Sequence, residues 1–357
     1  MSSYPESRPT ILFLYTELAG YVFSCLQELS KHAEVHVVHW PVNKEAPFQF
    51  PVIGGCTFYD RSTFDQQQLF RLSGGIRPDI VLCSGWVDKT YMKICRHYFG
   101  KIPTVVTLDN HWRNDFKQHI WSLLSPVYLR RVFSHAWVPG QPQHQYAKRL
   151  CFPEKNIHTG FYSADTDYFS GRYRTFLPEK QQNYPKRFLY VGRYIEAKGI
   201  HTLWNAFVSA VEKTQSDWEL WCLGTGTLFD QKREHSSIRH FGFVQPADMA
   251  RYLQQTGVFV LPSTFEPWGV VVHEMAASGM PLLCSDKVGA ATQFLSPGKN
   301  GFTFPSGNET ALEQILIRMM QMDTKQLLQM GEASHQLGHQ ITPKTWSQTI
   351  LDMVTSQ

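Results

Sequence analysis

The chain lacks the cysteine and histidine patterns of several protein classes. Its seven cysteines include no Cys-x-x-Cys pair, and those inside apolar runs have the character of small hydrophobic residues. This usage argues against a disulfide framework and favours a reducing compartment. The fifteen histidines show no His-Glu-x-x-His or comparable spacing. The sequence therefore predicts no metal site and no cofactor.

Long apolar runs are also missing. No run approaches the roughly 20 residues that a membrane-spanning helix needs, and the first ten residues lack the basic start and apolar core of a signal peptide. We therefore expect a cytoplasmic protein, either soluble or bound peripherally at the inner face of the membrane. The formal net charge of +4 is too small to indicate a nucleic acid partner.

The positive charge is concentrated in one region. Residues 111–150 contain six basic residues and one acid, a local charge of +5 that leaves about −1 for the rest of the chain. Between residues 111 and 137, aromatic side chains alternate with these cations. The pattern fits three interpretations: contact with an anionic membrane surface, an aromatic wall for a sugar acceptor, or a packed helix pair with a solvated basic rim.

Short apolar segments alternate with helix-like segments along both halves of the chain, which has room for about two domains. In the first half the candidate strands are Thr10–Tyr15, Glu34–His39, Asp79–Cys83, Thr104–Leu108 and His135–Val138, with a helix over Tyr21–Lys31. In the second half they are Arg187–Val191, Glu219–Leu223, Ile238–Phe243, Val258–Leu261, Pro281–Cys284 and Gly301–Phe304. Near-continuous apolar strands are typical of parallel sheets covered by helices on both faces.

The polar segment 169–186 has two prolines and no apolar periodicity, so we interpret it as a linker. Two alternating series joined by a linker predict two doubly wound, Rossmann-like α/β domains, over residues 1–168 and 187–340. We expect the two domains to face each other across a cleft. Residues 341–357 contain a final helix that we expect to return to the N-terminal domain.

Two glutamates follow a strand of the second series. Glu266 lies in the loop after Val258–Leu261, and Glu274 lies eight positions further on, within a helix predicted over Val270–Ser278. Ligands of open α/β sheets bind beyond the carboxyl ends of the strands, and the start of a helix suits phosphate. The two carboxylates are therefore expected to contact different parts of one long ligand.

A second strand end supplies positive charge. Arg193 follows the strand Arg187–Val191, and Lys198 precedes the next helix. Two cations at a strand-to-helix turn suit a diphosphate, which arginine can bind bidentately. The glycines of the turn Leu223–Gly226 allow the backbone to approach a ligand closely. Together with carboxylates that accept hydrogen bonds from hydroxyls, these residues predict a site for a nucleoside-diphosphate sugar.

Three segments carry a resemblance to a known family. The stretch "FLYVGRYIEAKGIHTLWNAF" contains both cations, "LPSTFEPWGVVVHEMAASGMPLLCSD" contains the E-x7-E pair, and "FGFV" supplies a further glycine turn. Together they resemble glycosyltransferase family 4, whose members have the GT-B fold. The resemblance is strongest over residues 187–304 and weaker in the N-terminal half.

The resemblance implies roles for residues of this chain. Arg193 and Lys198 match the pair that binds the donor diphosphate, and Glu266 matches the glutamate that holds the donor sugar, so catalysis is expected to depend on these three. Glu274 matches the glutamate that accepts a hydrogen bond from the nucleotide ribose. The other positions implied to bind the donor are Gly20 in a glycine loop, Gly242 and Phe243 beside the base, and Pro267, Trp268, Gly269 and Val270 near the sugar and phosphates.

Two departures from the family pattern concern the N-terminal half. Family members often have two adjacent glycines where this chain has only Gly20. They often carry histidine in the turn after the fourth strand, where this chain has Asp109, followed by Asn110 and His111. Either Asp109 or His111 is expected to take that role at the sugar or acceptor.

The resemblance implies a retaining glycosyltransferase in which the leaving phosphate takes the acceptor proton and closure of the cleft excludes water. Its expected partners are a nucleoside-diphosphate sugar and a glycan or lipid-linked acceptor, in the synthesis of a cell-surface polysaccharide or glycolipid. One alternative is a sugar-nucleotide epimerase or phosphorylase of similar shape, which the E-x7-E pair disfavours. Another is a binding protein of the same fold that has lost catalysis, an alternative motivated by Asp109.

Overall fold

The computed structural model describes residues 8–16, 18, 20–41 and 52–355, and the chain divides into two compact units. The first unit contains the described residues up to Ala164 together with those from Ile341 onwards. The second contains Asp165–Gln340. Each unit is built on one parallel sheet with helices, so the prediction of two doubly wound α/β domains is confirmed.

The described residues of the first unit form seven paired strands. They are β1 Thr10–Tyr15, β2 Glu34–His39, β3 Cys56–Asp60, β4 Ile80–Ser84, β5 Thr104–Thr107, β6 His135–Trp137 and β7 Ile157–His158. The helices are α1 Val22–Leu29, α2 Gln66–Ile76, α3 Lys89–Tyr98, α4 Phe116–Leu124 and α5 Gln141–Arg149. The strands are parallel and lie in the order β3-β2-β1-β4-β5-β6-β7. The order reverses between β1 and β4, which is therefore the switch point of this sheet.

Strand β1 shows why the apolar segments are almost continuous. Successive side chains of a strand point to opposite faces of the sheet. Ile11 and Phe13 belong to one buried cluster, which also includes residues of α1. Leu12 and Leu14 belong to another, which includes residues of α3. Both faces of this strand are covered, so a polar residue at any of these positions would be buried.

The second unit follows the same plan. Its strands are β8 Arg187–Val191, β9 Glu219–Leu223, β10 Ile238–His240, β11 Val258–Leu261, β12 Leu282–Ser285 and β13 Gly301–Phe304. Its helices are α6 Thr166–Gln182, α7 Ile200–Thr214, α8 Ala250–Gln255, α9 Val270–Ala277, α10 Ala291–Phe294, α11 Glu309–Met320 and α12 Thr324–Gly338. The parallel strands lie in the order β10-β9-β8-β11-β12-β13. The switch point of this sheet lies between β8 and β11.

The last helix, α13 Pro343–Thr355, belongs to the first unit, where it packs against α1. Trp346 of this helix is 1% exposed. Its indole N–H donates a hydrogen bond to the carbonyl oxygen of Phe161 at 2.7 Å, and its ring centroid lies 5.0 Å from that of Trp137. The first unit is therefore assembled from two separate stretches of the chain.

The segment 169–186 differs from the prediction of a linker. Most of it lies in helix α6. The N-cap residue Asp165, just before the helix, accepts a hydrogen bond through its side chain from the backbone N–H of Tyr168 at 3.0 Å. The helix packs against α9 and α12. Its buried residues are Thr166, Phe169 and Ser170, all in the first turns. The remainder of the helix therefore has no apolar stripe by which a sequence pattern would reveal it.

Candidate functional site

Two neighbouring strand ends of the second unit carry the predicted catalytic pair. Lys198 lies in the loop after β8, and Glu266 lies in the loop after β11. Because β8 and β11 are paired in the sheet, both loops leave the same edge at its switch point. The backbone N–H of Thr264 donates to the carbonyl oxygen of Ala197 at 2.9 Å, which joins the two loops directly.

Lys198 and Glu266 are in direct contact. The Lys198 Nζ donates to Oε2 of Glu266 in a charged hydrogen bond. The two side chains are only 16% and 11% exposed, and exclusion of water strengthens the attraction between opposite charges. The structure thus brings together two of the three residues for which the resemblance implies a part in catalysis.

The loop after β12 fixes the backbone around Glu266. The N–H of Gly289 donates to the carbonyl oxygen of Glu266 at 3.0 Å, and the N–H of Ala290 donates to that of Trp268 at 2.8 Å. A Cβ atom on Gly289 would lie 2.0 Å from the carbonyl oxygen of Pro267, so this approach requires glycine. The sequence analysis missed this loop, although a glycine shortly after a strand is a recognised sign of close backbone approach.

Helix α9 begins directly after the loop that carries Glu266, and its first residues have features that suit a phosphate. Gly269 precedes it with a φ of +91°, a conformation that favours glycine. Among the described residues no side chain caps the helix. The first N–H groups of a helix have no intrahelical acceptor and carry positive dipole character. The backbone from Trp268 to Val270 is therefore suited to contact an anion, as predicted from the resemblance.

Arg193 lies in the same strand-end turn as Lys198 and is exposed. Its carbonyl oxygen accepts a hydrogen bond from the hydroxyl of Tyr190 at 2.9 Å. The next residue, Tyr194, donates its N–H to the carbonyl oxygen of Thr225 at 2.8 Å. These bonds hold the turn after β8 against the turn after β9, so the exposed guanidinium extends from an anchored backbone.

The turns after β9 and β10 continue this edge of the sheet. The N–H of Gly224 donates to the carbonyl oxygen of Gly242 at 2.7 Å, and Gly242 has a φ of +69°. A Cβ atom on Gly224 would lie 1.9 Å from the carbonyl oxygen of Gly192. Gly242 and Phe243 thus belong to the row of strand-end turns that contains Lys198, and the Phe243 side chain is exposed.

Glu274 lies one turn into α9 and is half-buried. Removal from water raises the pKa of its carboxyl to about 7, and the negative charge of Asp165 contributes in the same direction. Near neutral pH this group therefore exists in both protonation states. The sequence placed Glu274 beside a ligand but gave no indication of this shift, because Asp165 is 109 positions away along the chain.

The remaining predicted residues belong to the first unit. Gly20 follows β1, and Asp109 follows β5. The Asp109 carboxylate accepts a hydrogen bond from the hydroxyl of Tyr162 at 3.2 Å. Asn110 is exposed, and His111 is half-buried. The predicted choice between Asp109 and His111 stays a prediction.

Two further findings concern the part of the chain that the structure describes. No three or more of its histidine, cysteine, aspartate or glutamate side chains are grouped so that they could hold a metal ion. None of its helices has both the length and the apolar character needed to cross a membrane.

Comparison with protein families identifies the region that contains this edge of the sheet. Residues 174–337 match the family described as glycosyl transferases group 1. The matched region is therefore similar to the group 1 glycosyltransferases. The group 1 region contains the second-unit residues predicted to bind the donor. The glycosyltransferase resemblance predicted from the sequence is therefore confirmed, whereas assignment to family 4 stays a prediction.

Curated relatives match about a third of the chain. The chain is 33% identical over 133 residues to a glycogen synthase of Mycobacterium tuberculosis. This alignment covers 35% of this chain and 32% of the glycogen synthase. It is also 30% identical over 145 residues to a phosphatidyl-myo-inositol mannosyltransferase of Mycobacterium leprae. That alignment covers 39% of this chain and 38% of the mannosyltransferase. The chain thus spans about a third of the length of these relatives.

Solved structures extend the likeness to nearly the whole chain. One is the crystal structure of the Anabaena protein Alr3699/HepE in complex with UDP and glucose. The superposition covers 98% of this chain and 100% of the Anabaena chain, with a TM-score of 0.71 and 15% sequence identity. At that identity the likeness concerns the fold. The prediction of the GT-B fold is confirmed.

Proposed function

We propose that the chain is a retaining glycosyltransferase that moves a sugar from a nucleoside-diphosphate sugar to a glycan or a lipid-linked acceptor, without a metal or other cofactor. The observation that carries the proposal is the Lys198–Glu266 ion pair at the switch point of the second sheet. It places a cation for phosphate beside a carboxylate for sugar hydroxyls. The match of residues 174–337 to the group 1 glycosyltransferases supports the same assignment.

In the proposed reaction, Arg193 and Lys198 stabilise the charge that develops on the departing diphosphate. The bond between the anomeric carbon and the diphosphate oxygen breaks, and a bond from that carbon to the acceptor oxygen forms on the same face. The acceptor proton passes to the leaving phosphate oxygen, so no protein base is required. Fixed positive charge aimed at a developing anion is commonly the largest contribution to catalysis, and removal of one such group costs about 2.7–4 kcal/mol.

The carboxylates serve to position the donor in this proposal. Glu266 accepts hydrogen bonds from the sugar hydroxyls, and Glu274 accepts one from the ribose. The backbone from Trp268 to Val270 contacts the phosphates at the start of α9, where helix geometry supplies N–H donors. Gly242 and Phe243 lie beside the base, and Gly20 of the first unit contributes a glycine loop.

The acceptor is proposed only by chemical class. The names of the relatives refer to a polysaccharide in the glycogen synthase and to a lipid in the phosphatidyl-myo-inositol mannosyltransferase. We therefore propose a polysaccharide or glycolipid acceptor. Asp109, Asn110 and His111 of the first unit are the candidate contacts for the sugar or acceptor.

Calorimetric titration with UDP, GDP, ADP and CMP tests the donor site. We expect one nucleoside diphosphate to bind, and we expect Arg193→Ala to weaken it by about ten- to a hundredfold, since a charged hydrogen bond contributes about 1.5–3 kcal/mol. Arg318→Ala, in helix α11 of the same unit, is the control and should leave the affinity unchanged. Failure of folded protein to bind any of the four would contradict the assignment of the donor site.

A transfer assay with the matching nucleotide sugar tests catalysis. Turnover, or slow hydrolysis of the donor, should be lost in Glu266→Ala, and NMR of the product should show the anomeric configuration of the donor. Nucleotide binding with neither transfer nor hydrolysis would instead favour the non-catalytic binding protein. An inverted product would refute the retaining mechanism and leave the donor site intact.

A further inference from the structure

Helix α4 of the first unit exposes large apolar side chains and buries a polar one. Phe116 and Leu123 are 78% and 80% exposed, whereas Gln118 is only 5% exposed. The Gln118 amide donates to the carbonyl oxygen of His111 at 2.8 Å, and it accepts from the N–H of Arg113 at 2.7 Å. A surface helix normally buries its apolar face. In this helix Gln118 is buried beside the partly buried Trp121, while most of its apolar side chains face solvent.

The exposed apolar side chains form one stripe, which we term the α4 face. It consists of Phe116, Ile120, Leu123, Leu124, Val127 and Tyr128. Phe116, Ile120, Leu123 and Leu124 share one side of α4 by their helical spacing, and Val127 and Tyr128 lie in the turn that follows the helix. They are six of the eleven large hydrophobic side chains that are exposed among the described residues, so the exposure is concentrated in thirteen consecutive positions. A patch of this kind marks an interaction surface.

A neighbouring loop contributes to the same surface. Val87, in the loop after β4, is 73% exposed. The ring of the preceding residue, Trp86, lies 5.6 Å from that of Trp121, and Trp121 lies 5.8 Å from Tyr128. Trp86 and Trp121 also pack against the buried core cluster of the first unit, so they connect the α4 face to that core.

Cations flank the α4 face. Lys117 follows Phe116 on the helix, about 100° around its axis, and Arg131 lies just beyond Tyr128; both are exposed. The only acid between residues 111 and 137 is Asp115. Its carboxylate is engaged with Arg113 at 3.1 Å and with the N–H of Gln118 at 2.9 Å. The rim of the apolar stripe therefore keeps a net positive charge.

We propose that the α4 face docks on the surface of an anionic lipid bilayer. An apolar stripe with lysine and arginine at its edge is the composition of helices that lie in the membrane interface. The long cationic side chains can reach the head groups while their stems stay against the apolar layer, and anionic lipids attract the positive rim. The inference goes beyond the proposed function, because it concerns the first unit and does not depend on the donor site.

Flotation of the whole chain with two kinds of vesicle tests this proposal. One kind is an equimolar mixture of phosphatidylglycerol and phosphatidylcholine, and the other is phosphatidylcholine alone. We expect binding to the first kind, much weaker binding to the second, and loss of binding at high salt. Nucleotide titration on the same samples, without vesicles, reports the donor site separately.

Surface variants with matched controls locate the contact. The double variant Phe116→Ser, Leu123→Ser should bind at least about tenfold more weakly, since burial of such a side chain contributes about 1.5–3 kcal/mol. Val52→Ser, at a fully exposed valine of the same unit, should bind as the unmodified chain does. Lys117→Ala should weaken binding about fivefold, and Lys101→Ala, at another exposed lysine, should not. All of these positions are on the surface, so circular dichroism should show unchanged folding.

Three results would overturn the proposal. The first is that the folded chain binds neither kind of vesicle. The second is equal binding to both kinds, which would remove the role of the cations. The third is self-association in light scattering that disappears in the double variant while vesicles are not bound, which would assign the α4 face to contact between copies of the chain.

Discussion

At the scale of single residues, the contact between Lys198 and Glu266 decides how variants of the site are interpreted. Removal of one partner from a mostly buried ion pair leaves the other charge uncompensated, which costs about 3–5 kcal/mol in fully buried cases. Loss of activity in Glu266→Ala therefore has two sources, a missing contact to the sugar and an unpaired Lys198. Nucleotide affinity separates them, because only the second source disturbs the diphosphate end of the site.

Glu274 gives a prediction about stability and pH. Its pKa is raised from 4.5 to about 7 by burial and by Asp165, so between those pH values the folded state binds more protons than the unfolded state. The free energy of unfolding contributed by this group therefore falls as pH rises through this window and is constant above it. Relative to the unmodified chain, Glu274→Gln should gain up to about 3 kcal/mol between pH 5 and pH 8, since each pKa unit corresponds to about 1.4 kcal/mol.

Urea denaturation at both pH values measures this difference. Comparison of the two proteins cancels the titration of the other groups, which contribute equally to each. Glu313→Gln is a useful control, because the pKa of that carboxyl is lowered by its hydrogen bonds to Lys213 and Ser209. The stabilising contribution of Glu313 to the free energy of unfolding is therefore lost below the pH window in which Glu274 titrates, and not within that window. A constant difference between Glu274→Gln and the unmodified chain would show that Glu274 titrates normally.

The sequence located those site residues that lie in loops at the ends of apolar strands. A loop after an apolar strand lies at the carboxyl edge of a parallel sheet, so the sequence placed Lys198 and Glu266 at the same edge. It did not reveal that they touch, because contact across 68 positions depends on the order of the strands. The support from Gly289 and the influence of Asp165 on Glu274 were missed for the same reason.

At the scale of elements, the loops of the second unit lock together through glycines. A Cβ atom at Gly289 would meet the carbonyl oxygen of Pro267 at 2.0 Å, and backbone atoms cannot move aside as a flexible side chain can. Gly289→Ala should therefore displace the Glu266 loop. We expect a loss of stability of about 1–3 kcal/mol, typical of overpacking, together with a loss of nucleotide affinity. Thermal melting and calorimetric titration measure the two effects.

Gly171→Ala is the matched control for this variant. Gly171 lies in helix α6, and a Cβ atom there would meet nothing within 4 Å. Alanine in a helix interior is favoured over glycine by about 0.5–1 kcal/mol, so this variant should be slightly more stable and should bind nucleotide normally. Equal behaviour of the two variants would show that the loop after β12 has no part in positioning Glu266.

Strands and helices were predictable from the sequence where their buried apolar residues form a continuous run or recur at a regular spacing. Strands β1, β2, β8, β9, β11 and β13 have the predicted boundaries. All of these except β13 are largely buried runs, whereas β13 lies at the edge of its sheet with Thr303 exposed. Strand β3 was missed, since it lies at the edge of its sheet and is only half-buried. Helix α6 was taken for a linker because its buried residues lie only in its first turns. Strand β10 ends at His240, three residues earlier than predicted, where the glycine turn at Gly242 begins.

At the scale of the whole molecule, the chain makes one compact unit from two distant stretches. Helix α13 follows the second unit in sequence but supplies Trp346 to the core of the first. The side chain is buried against Phe13 and Trp137. Aromatic residues bury a large area and dominate core energetics, so the stability of the first unit should depend on residues that lie after the second.

Hydrogen exchange followed by mass spectrometry tests this dependence. Trp346→Ala should destabilise the first unit by about 3–5 kcal/mol, and it should accelerate exchange in the peptide 22–29, which forms α1, more than in β8 and β9. Trp204→Ala is the matched control, because Trp204 is equally buried, in helix α7 of the second unit. It should produce the reverse pattern. If Trp346→Ala accelerated exchange mainly in residues 324–338, next to it in sequence, α13 would belong energetically to the second unit.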